Sequence, residues 1–390
     1  MAKRRTWWGN PALRQAITLT EGGGDPILAA FADGTDGFYF DFSKTDRLFQ
    51  DKIGTPADGV GEAIYLGRDG HSWGGQTLAQ QIAAQPELIA NPGPFANTTG
   101  ITAVGSTLGV AGGILTITAS ASASGRAEWA LAGLTVGKVY AATIRARRSV
   151  GTGQRIHGWT CGSVPTTALT DSFADYTFDM PATATSGLLR LYASAIGVSN
   201  DAMEVESVSV KEIPGNHGLQ DTGAARPTWR TGGLARFDGV DDNLQTLLTP
   251  GASITLLAKV QSTTLKAVMG ARDSTETRCA LFVDAGGKVG GGIGSQSITT
   301  ITGGSTIAGV QVMGLTTDGS TVKLWQNGAE VYSGAQAGAV GTVRPLFVGG
   351  WNDIGTAASF LAGDIYHALA IKKALTAAQI AAITNQWGTT

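Results

Sequence analysis

The chain has 390 residues, 56 of them glycine, with 43% hydrophobic and only 15% charged residues. That apolar content excludes a disordered chain, and glycine at roughly twice the usual ~7% fits short strands joined by tight turns. A formal net charge of −2 gives no global steering towards nucleic acid or a membrane surface, and the sequence lacks the run of about 18 apolar residues that a bilayer span needs.

The lead-in, residues 1–30, carries Lys3, Arg4 and Arg5, then Trp7, Trp8 and Pro11. No apolar stretch follows the basic residues, so this is no secretory signal and cytoplasmic synthesis is expected. Cys161 and Cys279 fall in different blocks, which argues against a disulfide framework. Two adjacent indoles want burial. Either they dock into a neighbouring subunit or they fold back on their own domain.

Residues 31–85 begin with a half-buried strand: Phe38, Phe40 and Phe42 share one face, Tyr39 and Asp41 the other. Leu78–Ala84 reads as a short helix before Pro86. Residues 86–213 form a β-rich block. Gly113–Ser120 places Leu115 and Ile117 on one face, and further strands are expected at Lys138–Arg145, Gly187–Ser194 and Met203–Ile213. In the last of these the apolar register changes between Val205 and Val208, which predicts a bulge at Glu206–Ser207.

In residues 214–390, Ile254, Leu256, Ala258 and Val260 alternate as a core strand. Thr321–Tyr332 reads as a hairpin about Asn327-Gly328, a pair suited to a type I′ turn. Strands are expected at Pro345–Trp351 and Phe360–Ile371. The chain then enters a helix over Leu375–Trp387, with Thr376 and Gln379 as a capping box and Ile380, Ile383 and Trp387 on one face.

Two runs carry a resemblance. Phe31–Gly70 breaks off, and Gly215–Asn243 (GNHGLQDTGAARPTWRTGGLARFDGVDDN) reads as its continuation. Together they resemble a segment found in many tailed-bacteriophage virion proteins. FDGVDD (residues 237–242) and the closing helix are similar to laminin-G-like, concanavalin-A-like sandwiches. Glu87–Gly100 and the ending of Met203–Ile213 resemble carbohydrate-binding-module jelly rolls, although Pro92 interrupts the opening and Ile101 stands where that family has Trp. The expected fold class is therefore all-β, with two antiparallel β-sandwiches. One is a laminin-G-like jelly roll (31–85 and 214–390). The other is a carbohydrate-binding-like jelly roll (86–213) inserted at a loop tip. A lead-in (1–30) and a short C-terminal helix complete the chain.

Catalysis finds little support. Glycoside hydrolysis needs two flanking carboxylates, and the E-x-D-x-E strand of concanavalin-A-like glucanases is absent; Glu204 and Glu206 suit a solvated strand edge. Cys161 and His157 lack a third, orienting group, and no G-x-S-x-G elbow or phosphate loop occurs. The four histidines share no zinc spacing. Asp238, Asp241 and Asp242 offer carboxylates to Ca²⁺, as the laminin-G resemblance allows, yet the same string also makes a turn.

Glycan binding remains. Trp129, Trp159 and Tyr192 in the inserted block, and Trp325 and Trp351 outside it, are candidate sugar platforms or core residues, with Trp159 first. Arg145, Arg147, Arg148 and Arg155 meet an anionic polysaccharide or line a solvated face. The resemblance implies a virion protein without catalytic activity, a tail fibre, spike or head fibre that adheres to a bacterial surface polysaccharide. It would attach to other virion subunits through Trp7 and Trp8 and assemble as a homo-oligomer, a trimer by preference. A purely structural subunit and a polysaccharide depolymerase are the alternatives. Neither nucleic-acid binding nor membrane insertion is expected, and no cofactor is expected other than Ca²⁺ at the three aspartates.

Overall fold

The structure, a computed structural model, describes residues 25–44, 47–49, 57, 59–64, 66–67, 78–120, 125–159, 167–194, 200–262, 266–274, 277–295 and 301–388. Period-two patterning sets its layers. On strand Ile114–Ala119, Leu115, Ile117 and Ala119 are buried, while the residues between them are half-exposed. The same alternation recurs on Arg126–Ala132 and Ser186–Tyr192. Each strand therefore gives one face to a core and keeps the other polar.

Residues 101–213 form two five-stranded sheets. One runs in the order Thr167–Ala168, Arg155–Trp159, Ser186–Tyr192, Arg126–Ala132, Ile101–Val104. The other runs Ala174–Pro181, Val139–Val150, Ala202–Ile213, Ile114–Ala119, Ser106–Ala111. All their pairings are antiparallel. They close on a single core that includes Leu115, Trp129, Ile144, Leu189, Val205 and Val208. The opening at Glu87 has a structural job. Its carboxylate accepts from the N–H of Leu88, Ile89 and Val210 and from Ser209 Oγ, tying the entry to the last strand. Along that strand the register against Val139–Val150 shifts between Val205 and Ser207, where the sequence predicts the bulge.

The remaining strands form a second, larger sandwich of two sheets. In one, Ala362–Ile371 is central, between Ile254–Gln261 on one side and Gly37–Asp41 and Leu234–Asp238 on the other. Its partner sheet contains Lys266–Ser274, Thr277–Val283 and Val289–Ile293. Their shared core takes Phe38, Phe40 and Phe42 together with Phe237, Leu281, Leu315 and Val348. Leu66–Gly67 pairs antiparallel with Gly218–Leu219, so the chain leaves and re-enters this sheet on adjacent strands.

One expectation changes. Strand Gly37–Asp41 is buried on both faces, because Tyr39 packs beneath the C-terminal helix Ala377–Trp387. Leu257, on the reverse face of Ile254–Gln261, lies in the same cluster with Ile380, Ile383 and Trp387. The helix keeps its capping box, in which Thr376 Oγ1 accepts from Gln379 N–H and Gln379 Oε1 accepts from Thr376 N–H. The described end of the lead-in, helix Pro26–Phe31, contributes Ile27, Ala30 and Phe31 to this cluster. Trp7 and Trp8 lie outside the described residues.

Candidate functional site

The aromatic candidates separate by burial. Trp129 is 0% exposed and sits across from Leu189 inside the smaller core. With no face open to solvent, it cannot stack on a sugar, and this corrects the sequence expectation. Trp351 is also removed. It is 9% exposed, with Phe282 edge-on at 5.3 Å and the Arg272 guanidinium 5.1 Å from its ring centroid. Trp325 packs under the C-terminal helix and donates to Thr316 Oγ1 at 3.0 Å. Trp159 ends strand Arg155–Trp159, paired with Leu189, and its side chain lies outside the described residues. Cys279 is a free, buried core thiol, whereas Cys161 is outside the described residues.

Tyr192 is half-buried on the solvent face of its sheet, and the register explains its surroundings. Arg126 lies opposite it on one neighbouring strand and Arg155 opposite it on the other. Side chains directly across antiparallel strands project on the same side. Both guanidiniums accordingly rest on the ring, at 5.4 and 5.0 Å from its centroid. In the next row, Arg190 faces Glu128, and Glu128 Oε1 is 2.9 Å from Arg190 Nε and 2.7 Å from Arg126 Nε. Among the described residues this face therefore sets three arginines against one carboxylate. Tyr192 acts there as a spacer that holds two cations by cation–π contact.

The second basic group behaves oppositely. Arg147 pairs with Glu204 at 2.6 Å and lies over the Phe173 ring. Arg145 pairs with Glu206 and Asp175, and Arg148 with Asp171. Three arginines meet four carboxylates there, Asp171 reaching in from the loop before Ala174–Pro181, so these arginines offer no excess positive charge. Arg147 leaves the set of glycan candidates for this reason. Of the basic residues singled out from sequence, Arg155 alone belongs to the cationic face. Arg126 and Arg190 were missed, because the signal that unites them is cross-strand register.

Asp238, Asp241 and Asp242 do converge, with one carboxylate oxygen of each within 4.8 Å of the others. Ca²⁺ binds oxygens at about 2.3–2.6 Å, so such oxygens can share one ion. The same atoms also build the turn. Asp238 Oδ1 accepts from Val240 N–H at 2.8 Å, and Asp242 Oδ2 accepts from Asp238 N–H at 2.9 Å. Burial pushes the Asp242 carboxyl up to about 7; the Asp238 N–H opposes this, and the charges of Asp238 and Asp241 add to it.

No family model matches the chain, and no curated protein matches it. Among solved structures it is similar to the native heptameric SAP-like pentraxin of Limulus polyphemus, at 13% identity over 38% of this chain and 79% of that one, with a TM-score of 0.32. It is also similar to domain 4 of AbnA, a GH43 extracellular arabinanase from Geobacillus stearothermophilus, in complex with arabinotriose (18% identity, 39% and 76% coverage, TM-score 0.33). A third is the Ruminococcus gnavus IT-sialidase CBM40 bound to α2,3 sialyllactose (18% identity, 35% and 83% coverage, TM-score 0.28). Scores at this level bear on neither ligand nor activity.

Proposed function

We propose that this chain is a non-catalytic adhesin of a tailed-phage or phage-like particle, a fibre or spike component that holds an acidic bacterial surface polysaccharide. The virion assignment rests on the resemblance of residues 31–70 and 215–243. The polysaccharide rests on one observation, the cationic row of Arg126, Tyr192 and Arg155 with Arg190 beside it. An open sheet face suits an extended chain, and guanidinium forks suit the carboxylates of a uronic-acid polymer. The Trp7–Trp8 segment would dock to other virion subunits. Assembly as a trimer would multiply weak sites into avid attachment.

Arg155→Gln tests the ligand. Arg155 makes no ion pair among the described residues; beyond its contact with the Tyr192 ring it donates to Gly153 O at 3.4 Å, so its loss should cost no more than about 1 kcal/mol of stability. Binding to a hexuronate polysaccharide should weaken about 5-fold or more at low salt, with a smaller loss at high salt, where charge pairing is screened. Unchanged binding would remove the sheet face from the proposal and favour a purely structural subunit. Absence of turnover has its own assay. Incubation with host capsule should release no new reducing ends, and a steady release abolished by Asp242→Asn would make the chain a depolymerase.

A further inference from the structure

Where the two sandwiches meet, the apolar joint is small: Val139, Ala141 and Ile213, with Ile82 and Leu219 packed against them. Next to it, Gly137 comes so close to Leu247 that a Cβ there would stand 2.7 Å from Leu247 Cδ2. Beyond this contact the surfaces part and enclose a cleft of about 510 Å³, within the ~300–1,000 Å³ usual for small-ligand sites. One wall comes from Val136, Pro181 and Thr183 of the smaller sandwich, the other from Gln245, Arg344 and Phe347 of the larger.

The wall that carries Arg344 is held in place by its neighbours. The N–H groups of Val343 and Arg344 donate to Asp273 at 3.0 and 2.7 Å. The buried Asn352 donates to Pro345 O at 3.1 Å and accepts from Gly355 N–H at 2.8 Å, which ties this loop to the adjacent hairpin. Gly355, at φ 95°, leaves the guanidinium its place, since a Cβ there would lie 3.0 Å from Arg344 Nη1. Yet the guanidinium has neither a carboxylate partner nor a hydrogen bond among the described residues, and the Gln245 side-chain amide also has none. The backbone that carries the fork is held and the fork itself is unspent, in a cleft that Phe347 and Leu247 also line.

A planar donor fork beside apolar side chains matches a carboxylate carried on a compact ring. We infer that the cleft is a second binding site, separate from the sheet face, that takes the acidic end of a saccharide: one or two uronic-acid rings with the carboxylate on Arg344. The cleft borders the joint, where Leu219 belongs to both, whereas the sheet face accepts an extended chain. The choice of a saccharide rests on the adhesion reading; the carboxylate rests on Arg344.

The test is calorimetric titration of the full chain with a glucuronate-terminated disaccharide and with its neutral glucose counterpart. The acidic disaccharide should bind at least 10-fold more tightly than the neutral one. Arg344→Gln should abolish that preference, while Lys323→Gln, at a residue that lies in neither the cleft nor the cationic face, leaves it intact. Val136→Trp, an exposed substitution on the opposite wall, should block the cleft and give the same loss, so the test stands even if Arg344→Gln fails to fold. Equal binding of the two disaccharides, or no binding by the unmodified chain, would overturn the inference. Loss in Arg155→Gln with retention in Arg344→Gln would overturn it too, while leaving adhesion through the sheet face standing. Loss in both alike would count against the cleft.

Discussion

His367 and Asp242 give the molecule opposing pH dependences. Burial lowers the His367 imidazole from 6.5 to about 4; Lys259 and Lys44 add to this and Asp41 opposes it. Between those values the unfolded chain takes up a proton that the folded chain refuses, so stability falls as pH drops, by at most about 1.4 kcal/mol per pH unit. Asp242 is the reverse. With its carboxyl raised from 3.8 to about 7, the folded chain keeps a proton that the unfolded chain has lost, so stability falls as pH rises from about 4 to 7. The two slopes offset each other in the intact chain. His367→Gln should leave stability falling with pH over this window and Asp242→Asn should leave it rising, as read from denaturant midpoints; slopes of the same sign in both would contradict this account. Ca²⁺ held by Asp238, Asp241 and Asp242 would compete with the Asp242 proton. It should therefore raise the melting temperature more at pH 7 than at pH 5, and identical melts in Ca²⁺ and EDTA would remove the metal from the proposal. Ile354 is a further residue-scale case. It is a β-branched residue at φ 53° on an exposed hairpin tip, so Ile354→Asn should stabilise the fold by about 1 kcal/mol.

At the scale of elements, the C-terminal helix shows how local and distant interactions combine. Its capping box is legible in the sequence, and Thr376→Ala should cost about 1 kcal/mol in thermal or chemical unfolding. Its docking was not legible. Lys259 Nζ, from a strand far away in sequence, donates to Trp387 O at 2.8 Å, and the Tyr39, His367 and Trp387 rings stack in parallel. This is why strand Gly37–Asp41, which reads as half-buried, is buried on both faces, as is the core strand Ile254–Gln261. Strand Arg126–Ala132 makes the complementary point. Trp129→Ala should destabilise by roughly 3–5 kcal/mol and alter polysaccharide binding only through unfolding. A variant that melts normally yet binds weakly would return Trp129 to the site.

At the scale of the molecule, the smaller core draws on residues 89–210 and the larger on residues 38–64 and 235–370. We propose that residues 86–213 are a separate folding unit. Deleting them should leave a cooperative melt for the remainder, because the joint buries few side chains; a non-cooperative melt would show that the two units fold only together. Self-association is the second whole-molecule expectation. Sedimentation at micromolar concentration should give a trimer, and a monomer would move assembly to the particle.

Period-two alternation, the Asn327-Gly328 turn, the bulge near Glu206 and the capping box were all determined by the sequence alone, because each depends on residues adjacent in the chain. Asn327 at φ 50° and Gly328 at φ 81° are what that pair adopts with little strain. The candidate sites were decided only by tertiary structure. The charged residues of the two sheet faces look alike as strings. Register sets Arg147 opposite Glu204 and Arg145 opposite Asp175, the bulge residue Glu206 and the loop residue Asp171 complete the neutralisation of Arg145 and Arg148, and register brings Arg126, Arg155 and Arg190 together around Tyr192 and Glu128. The cleft at Arg344 needs both sandwiches, whose facing walls are contributed by residues far apart in the chain. Local patterns specify which face of a strand is buried, but charge balance on a surface is a property of neighbours that only the folded sheet makes adjacent.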